Sequence, residues 1–130
     1  MTRGERNNNP GNIRKSAIDW KGEVLGDDKA FETFNTPEEG IRALAVLLKN
    51  YYQKHGLKTV RKIINRYAPA NENDTDAYID AVCKDMEVMA DQILVLSDTV
   101  LFNFVTAIIR HENGRVIYNT ETIKKGIEIA

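Results

Sequence analysis

The stretch Leu101–Gly114, "LFNFVTAIIRHENG", decides the fold. Its apolar residues Leu101, Phe104, Val105, Ile108 and Ile109 recur at steps of three and one, which puts them on one face of an α-helix. Ser97 or Asp98 is placed to cap its start, and Asn113-Gly114 is a sequence that ends helices. The next residue on the apolar face is Glu112, so a carboxylate takes a position that the periodicity assigns to the core. Burying an ionised carboxylate is expensive, and such a group either finds a partner or keeps its proton to higher pH, as a general acid at neutral pH must. The negative end of the helix dipole acts in the same direction. The plainer alternative is a frayed helix end at which Glu112 reaches water or pairs with Arg110 or Arg115. The polar cluster His111, Glu112, Asn113 and Gly114 at the mouth of an apolar stripe, with Tyr118 following, favours the chemical reading.

The same punctuation continues on either side. Thr36, Pro37 and Glu39 form an N-terminal capping signature, and Ile41, Leu44, Ala45, Leu47, Leu48, Tyr51 and Tyr52 give a helical stripe that ends at His55-Gly56. Val60, Ile63, Ile64 and Tyr67 predict a shorter helix that stops before Pro69. Asn73 or Asp74 caps a third, with Tyr78, Ile79, Val82, Cys83 and Met86 inward. Met89–Leu96 reads as a loop with one turn, and a final amphipathic piece capped near Asn119 or Thr120 carries Ile123, Ile127 and Ile129. Only Trp20–Phe34 departs from helix. Glu23–Leu25 and Ala30–Phe34 there predict a short hairpin or ordered loop. The fold class is mainly α, a single domain over residues 1–130 with a loop-rich part (1–34) and a helical part (35–130).

The chain has 130 residues, 42% of them hydrophobic and 28% charged, which suits one domain with its own core. One cysteine, Cys83, allows no internal disulfide and reads as a small buried hydrophobe. With 18 basic against 19 acidic residues, the net charge of −1 argues against a nucleic-acid partner, although Arg3, Arg6, Arg14 and Lys15 make the N-terminus locally basic. No apolar run reaches the ~18 residues of a membrane helix, and no apolar signal region opens the chain. The expectation is therefore a protein made in the cytoplasm without membrane insertion, a monomer, which reaches the outside only if another agent carries it. His55 and His111 lack metal-ligand spacing, and no Gly-rich phosphate loop occurs, so neither a metal nor another cofactor is expected.

Arg3–Lys15, "RGERNNNPGNIRK", is rich in turn formers and makes a poor helix and a poor strand. Amides, which both donate and accept, and aromatic faces are the groups suited to line a polar binding groove. Asn8, Asn9, Asn12, Trp20, Tyr67, Asn73, Tyr78, Asn113 and Tyr118 are the candidates for such a groove. Six of these have a structural alternative: Tyr67 and Tyr78 lie on apolar stripes, Trp20 is equally suited to the core, Asn8 and Asn9, with Asn7, to a capped turn and Asn73 to a helix cap.

"RGERNNNPGNIR", "WKG", "AFETFNTPEEGIRAL", "TVRKIINRYAPANENDTDAYI" and "AIIRHENG" together resemble small bacterial and phage proteins related to virion-associated peptidoglycan-degrading enzymes. These are similar to the lysozyme and lytic transglycosylase superfamily. The resemblance implies a lysozyme-like helical domain that binds peptidoglycan glycan strands and cuts them between N-acetylmuramic acid and N-acetylglucosamine. Glucosaminidases of that superfamily run from an apolar helix ending in Glu-Ser-Gly to an Asn-Asn-x-x-Gly-Ile-Lys loop, then Trp-x-Gly, then Phe-x-x-Tyr. "NNPGNIR", "WKG" and "FETF" match the last three in order, while "FVTAIIRHENG" resembles the missing first helix at the other end of the chain. A circular permutation is implied, which places Glu112 in the general-acid position. Glu5, just upstream of the Asn loop, competes for that role but sits among Arg3, Arg6 and asparagines, where a carboxylate ionises readily. One glutamate suffices for a transglycosylase, and Asp19, Glu23, Asp27, Asp28, Glu72 and Asp74 are candidates for the second carboxylate that hydrolysis normally needs. The permuted arrangement also requires Asn8–Asn12 to lie beside His111–Gly114.

Overall fold

In the computed structural model, which describes all residues from Met1 to Ala130, eight elements follow one another: α1 (Arg3–Arg6), β1 (Glu23–Val24), β2 (Thr33–Phe34), α2 (Pro37–Gln53), α3 (Val60–Tyr67), α4 (Thr75–Met86), α5 (Asp98–Asn113) and α6 (Thr120–Glu128). Thr36, Thr59, Asp74, Ser97 and Asn119 each accept a hydrogen bond from the backbone N–H three residues on, which satisfies a donor that every helix start leaves unpaired. Asp74, not Asn73, is thus the cap of α4. Gly114 closes α5 in the left-handed region at φ 78°, where a side chain would be strained. Met89–Leu96 is irregular, anchored by the buried Leu94, whose N–H donates to the Lys58 carbonyl.

The protein is mainly helical, with one small sheet. β1 and β2 pair antiparallel, Glu23 opposite Phe34 and Val24 opposite Thr33, a pairing shorter than the expected hairpin, with Leu25 outside it and exposed to solvent. α1 corrects the reading of Arg3–Lys15 as unsuited to helix. Thr2 and Glu5 form a reciprocal capping box, Thr2 Oγ1 accepting from Glu5 N at 3.1 Å and Glu5 Oε1 accepting from Thr2 N at 2.9 Å. A single capped turn has no periodicity by which to be recognised.

Ile41, Leu44 and Leu48 of α2 meet Phe104, Val105, Ile108 and Ile109 of α5 in a fully buried centre. α6 packs on α2, α4 on α5 and α3 on α4. Each large aliphatic side chain so buried stabilises the fold by about 1.5–3 kcal/mol. The N-terminal segment is docked onto this bundle. A Cβ at Gly40 would fall on the Asn8 carbonyl oxygen, so only glycine on α2 lets the loop approach so closely. Phe34 N donates to Asn7 O at 2.8 Å, and Thr2 Oγ1 donates to Asn113 Oδ1 at 2.7 Å, which ties the start of the chain to the end of α5. No helix is long and apolar enough to cross a membrane.

Candidate active site

Glu112 lies in the last turn of α5 because the apolar face of that helix continues to its end, where the core gives way to a cleft of about 330 Å³. Asn12 Nδ2 donates to Glu112 Oε1 at 2.9 Å, and Tyr78 Oη donates to Oε2 at 2.8 Å. One hundred residues of chain separate Asn12 from Glu112. Asn113 Nδ2 donates to the Pro10 carbonyl at 2.9 Å, so the Asn loop does lie beside the end of α5. The ion pairs that would make Glu112 an ordinary surface group are made by others: Arg115 binds Glu5 at 3.3 Å and Arg110 binds Asp85 at 3.5 Å.

The floor and walls of the cleft combine aromatic and polar surfaces. Trp20, Tyr67 and Asn73 line it with Asn12, as do Phe31 and Tyr51. Trp20 is both wall and core, being 7% exposed, and its Nε1 has no hydrogen-bond partner. The Tyr67 hydroxyl donates to the Gly11 carbonyl, fixing the loop that carries Asn12. Burial, reinforced by the charge of Glu112, pushes the phenols of Tyr67 and Tyr78 well up, so both stay neutral donors. Arg14 and Glu72 form a 3.0 Å ion pair at the rim, with the Arg14 guanidinium 5.1 Å from the centre of the Phe31 ring.

Other candidates have structural duties. Asn9 is fully buried. Its Nδ2 donates to Ile13 O and Glu32 O, and its Oδ1 accepts from Ile13 N, so it staples the loop to the hairpin instead of facing the cleft. Asn8, at φ 50°, donates to Phe34 O and Asn35 O. Asn113 is spent on Pro10, Ile109 and Thr2. Tyr78 is 1% exposed and reaches Glu112 from behind, its ring 3.9 Å from that of His111. Tyr118 lies outside the cleft lining, its hydroxyl pushed up to about 12 by burial. Glu5 serves the α1 cap, whose hydrogen bond from Thr2 N holds its carboxyl below the usual range, and it too lies outside the cleft lining.

Of the six further carboxylates, only Glu72 shares the cleft with Glu112. Asp28 is locked by Arg3, Asn7 and the N–H groups of Ala30 and Phe31, and Asp74 caps α4. A carboxylate absent from the sequence-based candidates, Glu32, is 5% exposed; burial, then its contact with Glu23, raises its carboxyl to about 7. Tyr51, Phe31 and Arg14 were also absent. The Tyr51 position on the α2 stripe signals only partial burial, and Arg14 and Phe31 come together through a backbone bridge that no local pattern announces. The Cys83 thiol is half-buried on α4, where burial pushes it up.

No family model matches the chain. It is 42% identical over 130 residues to Protein P5 of Pseudoalteromonas phage PM2, an alignment that covers 97% of this chain and 80% of the phage protein. The chain belongs to the family of that phage protein.

Proposed function

We propose that the protein is a peptidoglycan-degrading glycosidase that cuts the strand between N-acetylmuramic acid and N-acetylglucosamine, with Glu112 as the single general acid and base. The observation that carries this reading is the Asn12–Glu112 contact, which assembles a carboxylate, an amide and aromatic faces in one cleft from opposite ends of the chain. In the first step protonated Glu112 gives its proton to the glycosidic oxygen; in the second the carboxylate takes a proton from the sugar's own hydroxyl as it attacks. Trp20, Tyr51 and Tyr67 supply faces for sugar rings, and Asn12 and Asn73 supply amides. No cofactor enters this scheme. The permuted lysozyme-like arrangement is part of the proposal, as are action at the cell wall from a phage particle and a monomeric state.

A second reading is a non-catalytic virion or wall-binding protein on the same scaffold. It fits the similarity to a phage protein as well as an enzyme does. Incubating the purified protein with peptidoglycan and identifying the products by mass spectrometry separates the two. Anhydromuropeptides mean transglycosylation, reducing ends mean hydrolysis, and their loss in Glu112→Gln but not Glu5→Gln supports the assignment. Binding without soluble product, or full activity in Glu112→Gln, overturns it.

A further inference from the structure

The two oxygens of Glu112 are held by chemically different groups. At Oε2 stands the Tyr78 hydroxyl, which donates to the carboxylate and can accept instead by turning about its C–O bond. At Oε1 stands the Asn12 amide, whose donor and acceptor ends are fixed; it serves an ionised carboxylate through Nδ2 and can serve a protonated one only by rotating half a turn to present Oδ1. Oδ1 is buried and has no hydrogen-bond partner, so no bond holds that end of the amide in place. The backbone of Asn12 is in the left-handed region, φ 50°, which fixes the loop position independently of the amide. Asn12 lines the cleft and Tyr78 does not, so Oε1 is the oxygen reached through the cleft lining.

We propose that Asn12 is a positioning residue that couples to the protonation of Glu112, its amide donating to Oε1 of the carboxylate and rotating to accept from Oε1–H of the acid. A proton on the cleft-facing oxygen thereby gains an acceptor, and its delivery returns the amide to the donor orientation. The role rests on the catalytic reading of Glu112, whereas the coupling does not. The other titratable groups about Glu112 are Tyr78 on α4, Tyr67 on α3 and His111 on its own helix; Tyr51 on α2 shares the cleft, as do Arg14 and Glu72, which are paired with each other. The two phenols stay neutral, since burial and the Glu112 charge both hold their protons in place.

The test is the pH titration of the Glu112 side-chain carboxyl carbon by ¹³C NMR in the wild type, Asn12→Gly and Asn12→Asp, with the Asn12 side-chain ¹⁵N signal followed in the wild type. Glycine keeps the positive φ without strain and deletes the amide; aspartate keeps the shape but only accepts. The expected result is a wild-type Asn12 ¹⁵N signal that follows the Glu112 midpoint. The midpoint should rise in Asn12→Gly, which loses a donor to the charged form, and split into two steps in Asn12→Asp. The alkaline limb of any peptidoglycan-cleaving activity should move with it. Identical Glu112 titration in all three proteins, or an Asn12 signal blind to it, overturns the proposal. An inactive wild type that still shows the linked titration overturns the glycosidase reading alone.

Discussion

Tyr78 Oη lies 2.8 Å from Glu112 Oε2, and this one contact joins the middle of α4 to the last turn of α5. It turns a carboxylate at a core position into a group with a fixed direction. Because Tyr78 is buried, its hydroxyl and the carboxylate oxygen satisfy each other away from water.

Tyr78→Phe keeps the ring and its packing on His111 and removes only the hydroxyl. Loss of one hydrogen bond to a charged group is worth about 1.5 kcal/mol, or tenfold in rate. On the proposed function, glycan cleavage should therefore fall by about tenfold and Tm should drop, while circular dichroism stays unchanged. Unaltered kcat/KM would mean that Glu112 needs no support from α4.

Gly40→Ala reverses the usual sign of its substitution. Alanine inside a helix normally stabilises by about 1 kcal/mol relative to glycine. Here the new methyl group meets the Asn8 carbonyl and Pro10, both on a docked backbone. Urea denaturation should show a loss of about 1–3 kcal/mol, the usual consequence of overpacking. Displacement of the loop that carries Asn12 should lower activity as well. A stabilised variant would show that the loop yields freely.

These contacts mark what the sequence could and could not disclose. α2 and α5 were legible because seven and five apolar residues keep a helical spacing and are bounded by Thr-Pro, Ser or Asn-Gly chemistry. Glu112 stood out because it broke that spacing. The approach of Asn12 to Glu112 was foreseen only through the order of the motifs, since no local rule links positions 100 residues apart. Asn9 and Asn12 show the limit most directly. Both belong to one turn-forming run with the same chemistry, yet one is a buried staple and the other a cleft group. That difference depends on where the hairpin carbonyl of Glu32 lies, which is a tertiary fact. The contact of Glu32 with Glu23 was hidden for the same reason, because pairing of β1 with β2 brings the two side chains together.

Asn9→Ala should be the most damaging change in the N-terminal segment. It leaves the Ile13 N–H and the Glu32 carbonyl without their side-chain partner inside the protein, while the Ile13 carbonyl keeps the Glu32 N–H at 2.9 Å. Orphaned buried groups of this kind cost about 1–3 kcal/mol each, so a loss of about 2–4 kcal/mol is expected in chemical denaturation. Asn73→Ala, at an exposed position, should change stability by less than ~0.5 kcal/mol. Similar values for the two would contradict the staple role.

Glu32 makes stability fall with rising pH. Its carboxyl, 5% exposed, is raised to about 7 by burial first, then by a hydrogen bond with Glu23 and by the Glu23 charge, against smaller opposing effects of Ser16 and Lys15. In the unfolded chain a glutamate titrates near pH ~4.3. Below that value the group is protonated in both states and makes no difference. Between about 4.3 and 7 the folded protein holds the proton more tightly than the unfolded chain, so folding stability declines as pH rises, and above 7 the full penalty is present. Glu32→Gln keeps the neutral shape and removes the titration. Denaturation at pH 4 and pH 8 should show no difference from the wild type at pH 4 and a gain of about 1–3 kcal/mol at pH 8. An equal effect at both pH values would assign the change to packing, and a loss at pH 8 would mean that ionised Glu32 is stabilised by Lys15 more than it is penalised by burial beside Glu23.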